Sequence, residues 1–338
     1  MKALFVCALM LLSASLASAA DTLDIYVVDT EGGKAMILLA PGGETMLVDA
    51  GYPTADDRDT RRVVAAAQAA GIKQFDSILA THYDADHAGN IPRVDALIPG
   101  KVFIDHGEPI PTLDPNRRRE NYEPYVRAIG PRRRILARPG DVIPFDGLRI
   151  TVVTAGGRAI DHPLPGAGAA NELAPASRPT YQDRDDNAGS IGLLYEFGHF
   201  RMLDLADLLS SVEYDLMCPR NLVGTVDLFM VSHHGLKVSN AKFLVHALRP
   251  QVAIMNNGAR KGGAPETLDI LKSSPGLVDL WQLHYSNAGG GKNAPAEFIA
   301  NLREPCEGKL IKVVVRRDGR FTVTNTRNNF SKSYESRR

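Results

Sequence analysis

The segment from Thr81 to His87 constrains this chain more than any other part of its sequence. It reads Thr-His-Tyr-Asp-Ala-Asp-His and follows the apolar run 75–80, which is typical of a β-strand. Side chains at the C-terminal end of a strand converge on the crevice where α/β sheets bind ligands. Buried charges there must be paired or bound to metal. The pattern therefore predicts a metal site that includes His82, Asp84, Asp86 and His87.

Strand and helix patterns alternate along most of the chain. The first half predicts a helix at 59–70 and strands at 24–28, 35–39, 45–51, 75–80 and 101–106. The second half predicts helices at 240–248, 265–272 and 296–302, with strands at 190–197, 199–205, 226–232, 251–255, 278–284, 310–316 and 321–326. Hairpins followed by this alternation predict the α/β class, with two sheets packed together and helices outside.

The predicted domain covers residues 22–328, with irregular insertions near 108–140 and 156–180 and a C-terminal tail at 329–338. Residues 1–19 have a positive start, an apolar run and a small-residue cleavage site, which is typical of a secretory signal peptide. The expected location is therefore the periplasm or the outside of the cell. No later run in the sequence is long and apolar enough for a transmembrane span.

Charge and cysteine content limit the classes of partner. The 39 Lys and Arg residues balance 39 Asp and Glu residues, so net charge gives no support for a nucleic-acid or membrane partner. The expected partner is a small-molecule or phosphoester substrate, with nucleic acid left as an alternative. In an oxidising compartment Cys218 and Cys306 form either one disulfide or two separate buried thiols.

Further candidate ligands follow later strands, namely Asp207 and one of His233 and His234. Imidazole nitrogens and carboxylate oxygens suit zinc, manganese or iron better than magnesium or calcium. Six donors are too many for one tetrahedral ion, so we expect two Zn²⁺ ions, with Mn²⁺, Fe²⁺ or a single ion as alternatives. Such a pair makes a bound hydroxide the nucleophile, and Asp86 orients or deprotonates that water. Three carboxylates bring three negative charges and two dications bring four positive ones. The site therefore stays positive, which favours an anionic substrate.

The order of these motifs resembles the metallo-β-lactamase superfamily. Its H-x-[HD]-x-D-H motif matches residues 82–87, and its other elements are similar to Asp49-Ala50-Gly51, Ala206-Asp207 and 231–235. The resemblance covers residues 22–328 and implies a four-layer αββα sandwich of two mixed β-sheets flanked by helices. The His-His-Gly form of the last motif is similar to the branch with the hydrolase domain of bacterial DNA-uptake channel proteins and the phosphorylcholine esterases.

The chain departs from the family pattern at two positions. Asp84 stands where many members carry histidine, and the middle histidine ligand of the family has no clear match. His106 and His162 are candidates for it, and Asn187 is a candidate to replace it. Asp49 is expected to support the ligands from behind, while Asp204 and His284 are further candidates near the site.

The resemblance and the predicted ligands together favour an exported metal-dependent hydrolase that acts on a phosphoester or a similar anionic substrate. A β-lactamase or lactonase is one alternative. A non-catalytic binding domain with a degenerate site is the other, because the middle histidine is missing.

Overall fold

The computed structural model describes residues 21–181 and 185–338. The predicted signal peptide at 1–19 lies outside the described residues. Within the described ranges, no helix has the length and hydropathy that crossing a lipid bilayer requires.

The described part of the chain is rich in short strands. In chain order they are β1 Thr22–Val27, β2 Met36–Leu39, β3 Thr45–Val48, β4 Phe75–Leu79, β5 Gly100–Asp105, β6 Arg133–Leu136, β7 Val142–Ile143, β8 Arg149–Ala155, β9 Arg158–Ala159, β10 Gly192–Phe197, β11 Phe200–Asp204, β12 Leu228–Met230, β13 Val252–Met255, β14 Asp279–His284, β15 Ile299–Asn301, β16 Ile311–Arg316, β17 Arg320–Asn325 and β18 Phe330–Glu335.

Helices connect many of these strands. They are α1 Arg58–Ala69, α2 Ile91–Leu97, α3 Pro115–Arg117, α4 Glu123–Ile129, α5 Ser210–Met217, α6 Lys242–Leu248 and α7 Pro265–Lys272. A π-helical segment, Arg118–Tyr122, joins α3 to α4, and short 3₁₀ segments include Asn187–Gly189, Ser232–Gly235, Gly290–Lys292 and Ala296–Phe298.

The strands form two mixed sheets. The first has the order β18-β17-β16-β1-β2-β3-β4-β5-β6, and the second has the order β15-β14-β13-β12-β11-β10-β8-β7, with β9 beside β8. Strands β3 to β6 pair in parallel in the first sheet, and β11 to β15 do so in the second. The remaining strand pairs are antiparallel.

Side-chain alternation explains why the two sheets pack face to face. Along β1, Leu23, Ile25 and Val27 point into the core between the sheets, while Tyr26 packs on the outer side. Helix α1 covers that outer side of the first sheet through Val63, and α6 packs on the second sheet through Leu244. The predicted α/β class and the four-layer sandwich of two mixed sheets are therefore confirmed.

The end of the chain corrects one prediction. Residues 329–338 were expected to be a tail, but β18 pairs antiparallel with β17 along its whole length. Tyr334 explains the pairing, because it is buried, stacks on Phe321 and accepts a hydrogen bond from Trp281 Nε1 at 3.1 Å. The sequence there alternates polar and aromatic residues, which suits a strand that packs on one face only.

Two further local predictions are wrong. Residues 296–302 do not form a helix, because Ile299–Asn301 extends the second sheet by pairing in parallel with β14. The insertion near 108–140 is largely ordered into α3, α4 and β6, and Arg134 bonds the buried carboxylate of Asp105 at 2.7 Å. Cys218 and Cys306 are both free thiols, so of the two alternatives the structure has separate cysteines.

Candidate metal centre

The motif segment lies in a turn directly after β4. The backbone N–H of His87 donates to the carbonyl of Asp84 at 3.0 Å, which brings the two side chains to the same side of the turn. His82 and His87 are fully buried, and Asp84 and Asp86 are nearly so. The Nδ1 atom of His82 lies 3.1 Å from Thr81 Oγ1, so its Nε2 atom is directed away from the backbone. These four side chains therefore form one compact polar surface inside the fold.

Four of the predicted ligands converge on one point. Asp86, His87, Asp207 and His234 each offer an atom within 4.8 Å of the others. His234 Nε2 lies 3.0 Å from Asp86 Oδ2 and 3.1 Å from Asp207 Oδ2. His87 Nε2 lies 3.2 Å from Asp207 Oδ1 and 3.3 Å from His234 Nε2. Two imidazole nitrogens and carboxylate oxygens that face one another at these distances fit a shared cation.

Two buried atoms of the cluster are available to coordinate an ion. Among the described residues, His82 Nε2 and Asp207 Oδ1 have no hydrogen-bond partner. Leaving a buried polar atom unsatisfied costs about 1–3 kcal/mol, and a bound ion between these two atoms would remove that cost. His82 Nε2 also lies 3.7 Å from Asp84 Oδ2. The residues present therefore fit a first ion at Asp86, His87, Asp207 and His234, and a second that uses His82, Asp84 and the free oxygen of Asp207.

The charges of the cluster support the same conclusion. Burial alone would raise the pKa of Asp86, but Lys261 and His87 hold it well below its usual range. Burial likewise opposes ionisation of Asp207, yet His234 and His87 hold the pKa of that carboxyl well below its usual range. Both groups are therefore carboxylates at neutral pH. Burial lowers the pKa of His87, but Asp207 and Asp86 outweigh it and raise that pKa well above its usual value. Cation uptake at His87 consequently releases a proton, and affinity should rise with pH.

Asp49 lies behind the cluster and orients His87. Its carboxylate accepts hydrogen bonds from Thr81 N at 2.8 Å and Thr81 Oγ1 at 2.7 Å, and its Oδ2 lies 2.9 Å from His87 Nδ1. The residue has a positive φ of 59°, held by these bonds at the end of β3. Asp49 therefore fixes which nitrogen of His87 is left for a metal.

We expect Asp49→Asn to weaken zinc binding by about 10–100-fold, because an amide cannot accept from both Thr81 and His87 as the carboxylate does. Competition with a chromophoric chelator measures the affinity. Asp56→Asn, which changes an exposed carboxylate, is the control and should leave the affinity unchanged. Equal zinc affinity in the Asp49 variant and the wild type would show that Asp49 does not support the ligands.

The structure separates the two adjacent histidines. His234 is fully buried in the cluster, and its Nδ1 lies 3.2 Å from the carbonyl oxygen of Asn256. His233 lies at the margin, with Nδ1 3.1 Å from Ser239 Oγ and Nε2 3.5 Å from Asp207 Oδ2. Both have positive φ, 51° and 54°. Such strained conformations in non-glycine residues persist only where the surroundings hold them, and they concentrate at functional sites.

The loop after this pair is fastened by Asn240 and Glu213. Asn240 accepts from Ser232 N at 2.9 Å and donates to Ser232 O at 2.8 Å. Glu213, fully buried on α5, accepts from Asn240 N at 2.7 Å and Ala241 N at 3.0 Å. Burial raises the pKa of Glu213 to about 7, although those two N–H groups act in the opposite direction.

The raised pKa of Glu213 determines how the free energy of unfolding changes with pH. The stability linked to Glu213 is fully present below its unfolded pKa near 4.5 and is lost as pH rises through about 7. We expect the free energy of unfolding to fall by up to about 3 kcal/mol across this window, and Glu213→Gln to flatten that fall. Urea unfolding at a series of pH values measures it, with the exposed Glu266→Gln as control. Parallel pH profiles for wild type and Glu213→Gln would contradict the assignment.

Lys261 is a site residue that the sequence did not indicate. Its Nζ lies 2.5 Å from Asp86 Oδ2 and 3.2 Å from the hydroxyl of Tyr52. Burial lowers the pKa of Lys261, but Asp86 and Asp207 outweigh it, so the ammonium stays charged. Lys261 belongs to the glycine-rich loop after β13. Its position as a cation in a loop at a strand end is the one sequence signal that could have suggested a role in the site.

Other predicted site residues lie outside the cluster. His106 Nε2 bonds Asp186 Oδ2 at 2.8 Å, and the backbone N–H of Asp186 donates to Asp84 Oδ1 at 3.3 Å. His106 thus approaches the motif through Asp186, a residue that the sequence did not indicate, and through Tyr83, whose ring centroid lies 4.7 Å from that of His106. Asn187 is buried beside Asp186 in the 3₁₀ segment.

The remaining two predicted residues have other partners. Asp204 pairs with Lys34 Nζ at 2.6 Å rather than joining the four converging ligands. His284 bonds Asp29 at 2.8 Å, in a different cluster. Both end strands of the second sheet, which is why the sequence placed them near the site.

Comparisons with known proteins give one family match and several similar folds. Residues 29–175 match the family model described as Metallo-beta-lactamase superfamily. No curated protein matches the chain. Among solved structures, the metallo-beta-lactamase fold protein YhfI from Bacillus subtilis is similar, at 12% identity over 77% of this chain and 96% of that chain, with a TM-score of 0.45. So is Igni18, a metallo hydrolase from the archaeon Ignicoccus hospitalis, at 15% identity over 77% and 94%, with a TM-score of 0.42.

Proposed function

We propose that the chain is a member of the metallo-β-lactamase superfamily, whose family model matches residues 29–175, and that it is an exported hydrolase that uses two zinc ions to cleave a phosphoester or a similar anionic substrate. The observation that carries the proposal is the convergence of Asp86, His87, Asp207 and His234, with unsatisfied His82 Nε2 beside them. Mn²⁺ and Fe²⁺ suit the same donors. Export is supported by the sequence of residues 1–19 alone.

The bound ions would supply Lewis acidity and would lower the pKa of a coordinated water towards 7. The chain's own residues then bind and orient. Asp86 accepts from Lys261 and faces His234, and its strongly lowered pKa makes it an orienting acceptor rather than a store for a proton. Asp49 holds His87 in one tautomer through the 2.9 Å contact with its Nδ1.

Charge supports an anionic substrate. Two dications bring four positive charges, while Asp84, Asp86 and Asp207 bring three negative ones. Lys261 adds a further positive charge beside Asp86. The Tyr52 hydroxyl, which lies 3.2 Å from Lys261 Nζ, adds a hydrogen-bond donor. A phosphoester oxygen suits such a site. The His-His-Gly form of residues 233–235, similar to the branch with phosphorylcholine esterases, supports the same substrate class.

The test is turnover by zinc-loaded protein. We expect hydrolysis of bis-p-nitrophenyl phosphate that is absent from the His82→Ala/Asp86→Ala double variant. Nitrocefin and a lactone panel are run in parallel. Hydrolysis of those substrates without phosphodiester turnover would move the assignment to a β-lactamase or lactonase, and no turnover of any substrate with metal bound would favour a binding domain.

A further inference from the structure

A second cluster of metal-type donors lies apart from the candidate metal centre. Asp29, His284 and Cys306 each offer an atom within 4.8 Å of the others. His284 Nε2 lies 2.8 Å from Asp29 Oδ1, while Cys306 Sγ lies 3.4 Å from Asp29 Oδ2 and 4.0 Å from His284 Nε2. Asp29 and His284 are fully buried, and Cys306 is half-buried. None of the three belongs to the cluster around Asp207.

The fold brings these residues together from distant parts of the chain. Asp29 follows β1 in the first sheet, His284 ends β14 in the second, and Cys306 lies in the loop between β15 and β16. The backbone N–H of Glu31 donates to Asp29 Oδ1 at 2.9 Å and so orients that carboxylate. An ion bound here would link both sheets to the loop that carries Cys306.

The distances suit a tetrahedral ion. With bonds of about 2.0–2.3 Å, neighbouring donors lie about 3.3–3.8 Å apart. The three observed separations, 2.8, 3.4 and 4.0 Å, bracket that range. Glu31 Oε1 lies 3.6 Å from Cys306 Sγ but is not among the three groups that lie within 4.8 Å of one another. A thiolate and an imidazole together favour zinc or cobalt over calcium, magnesium or manganese.

The guanidinium of Arg62 lies beside the proposed donors, so a bound ion must fit next to it or displace it. Its guanidinium lies 2.9 Å from Asp29 Oδ2, 3.1 Å from Glu31 Oε1 and 3.2 Å from Cys306 Sγ. Arg58 also contacts Glu31, at 2.5 Å. With His284 neutral, the two arginines leave two net negative charges when Asp29, Glu31, Asp59 (which pairs with Arg58 at 2.6 Å) and a Cys306 thiolate are ionised, and a dication neutralises them. Arginine alone therefore does not neutralise the thiolate form.

A cavity beside the cluster gives an ion access and gives Arg62 room to move. It has a volume of about 790 Å³, and its lining includes Glu31, Arg62 and Cys306. A proposed metal site needs such a route from solvent, together with suitable donors and distances.

We propose that Asp29, His284 and Cys306 form a structural binding site for one zinc-type ion, separate from the hydrolytic centre. Glu31 and Arg62 remain beside the three donors as neighbouring charged groups. The site ties the loop after β1 to the end of β14 and does not depend on the proposed hydrolase activity.

Cobalt substitution tests the proposal, because a thiolate ligand gives Co²⁺ a near-ultraviolet charge-transfer band and the centre around Asp207 contains no cysteine. We expect cobalt titration to produce this band in the wild type and in Asp207→Ala, with a final amplitude that corresponds to one thiolate-bound cobalt per chain. The band should be absent from Cys306→Ser and should require at least about tenfold more cobalt in His284→Gln. Cys7→Ser and Cys218→Ser, which change the other two cysteines of the sequence, are the matched controls and should keep it.

Thermal unfolding supplies the structural readout. Zinc should raise the Tm of Asp207→Ala, and this rise should vanish in Asp207→Ala/Cys306→Ser. Far-ultraviolet circular dichroism checks that each variant folds, and His284→Gln serves if Cys306→Ser does not fold. Cobalt uptake without the band at a large excess of metal, or a band that survives Cys306→Ser, overturns the proposal. Loss of phosphodiesterase activity alone does not contradict the proposed zinc site, since the charge-transfer band is also measured in Asp207→Ala.

Discussion

Asp207→Ala is expected to lower the metal content of the centre around Asp207 from about two ions to one or none, apart from any ion held by Cys306, and to reduce hydrolysis by at least about 10²–10³-fold. Both carboxylate oxygens of Asp207 face the predicted ligands: Oδ2 lies 3.1 Å from His234 Nε2, and Oδ1, which has no hydrogen bond, lies 3.2 Å from His87 Nε2. Removing it also leaves two buried imidazoles without their main counter-charge. Elemental analysis of protein purified without added metal measures the first effect.

The control for this experiment is Asp215→Ala, which removes an exposed carboxylate that pairs with Arg178 at 2.8 Å. It should keep both metal ions and full activity. A metal content in Asp207→Ala equal to that of the wild type would show that Asp207 does not bridge the two ions. A wild-type chain that takes up no metal on titration would overturn the catalytic interpretation.

The sequence predicted the features that depend on local spacing. Residues 82–87 lie in one turn after a strand, so four donor side chains had to be close whatever the rest of the fold did. Alternating burial along β1 and β16 likewise follows from a period of two in the sequence. The two-sheet sandwich and the position of the motif at a strand end were therefore accessible without coordinates.

The choice between neighbouring residues was not accessible, because it depends on backbone conformation. His233 and His234 both have positive φ, and this turn directs only His234 between Asp86 and Asp207. Contacts between distant residues were also hidden. Lys261 and Asp86 are 175 positions apart, and no periodic pattern connects them.

Asp204 shows how a strand-end carboxylate can imitate a ligand. It ends β11 three residues before Asp207, yet Lys34 Nζ lies 2.6 Å from one of its oxygens and 2.7 Å from the other. Only 4% of either side chain is exposed. The pair crosses from the first sheet to the second and holds Ala206, whose N–H donates to Asp204 Oδ1 at 3.0 Å.

We expect Lys34→Met to lower the free energy of unfolding by about 3–5 kcal/mol, because the Asp204 carboxylate stays buried without its counter-charge. The Lys34→Met/Asp204→Leu double variant should recover most of this loss, since it removes both buried charges. Urea unfolding in the presence of a chelator keeps metal binding out of the comparison. The exposed Arg93–Asp57 pair at 2.7 Å is the control, and Arg93→Ala should cost no more than about 1 kcal/mol.

Metal content separates the role of this pair from that of a ligand. Asp204→Asn should bind as many zinc ions per chain as the wild type at low temperature, where the variant is folded, while Asp207→Ala should not. Loss of metal from folded Asp204→Asn would place Asp204 among the ligands after all. Retained metal together with a large loss of stability would show that Asp204 and Asp207 have different roles, although they are three residues apart. Asp204 then joins the sheets through Lys34, and the rigid strand end that results presents Asp207 to the centre.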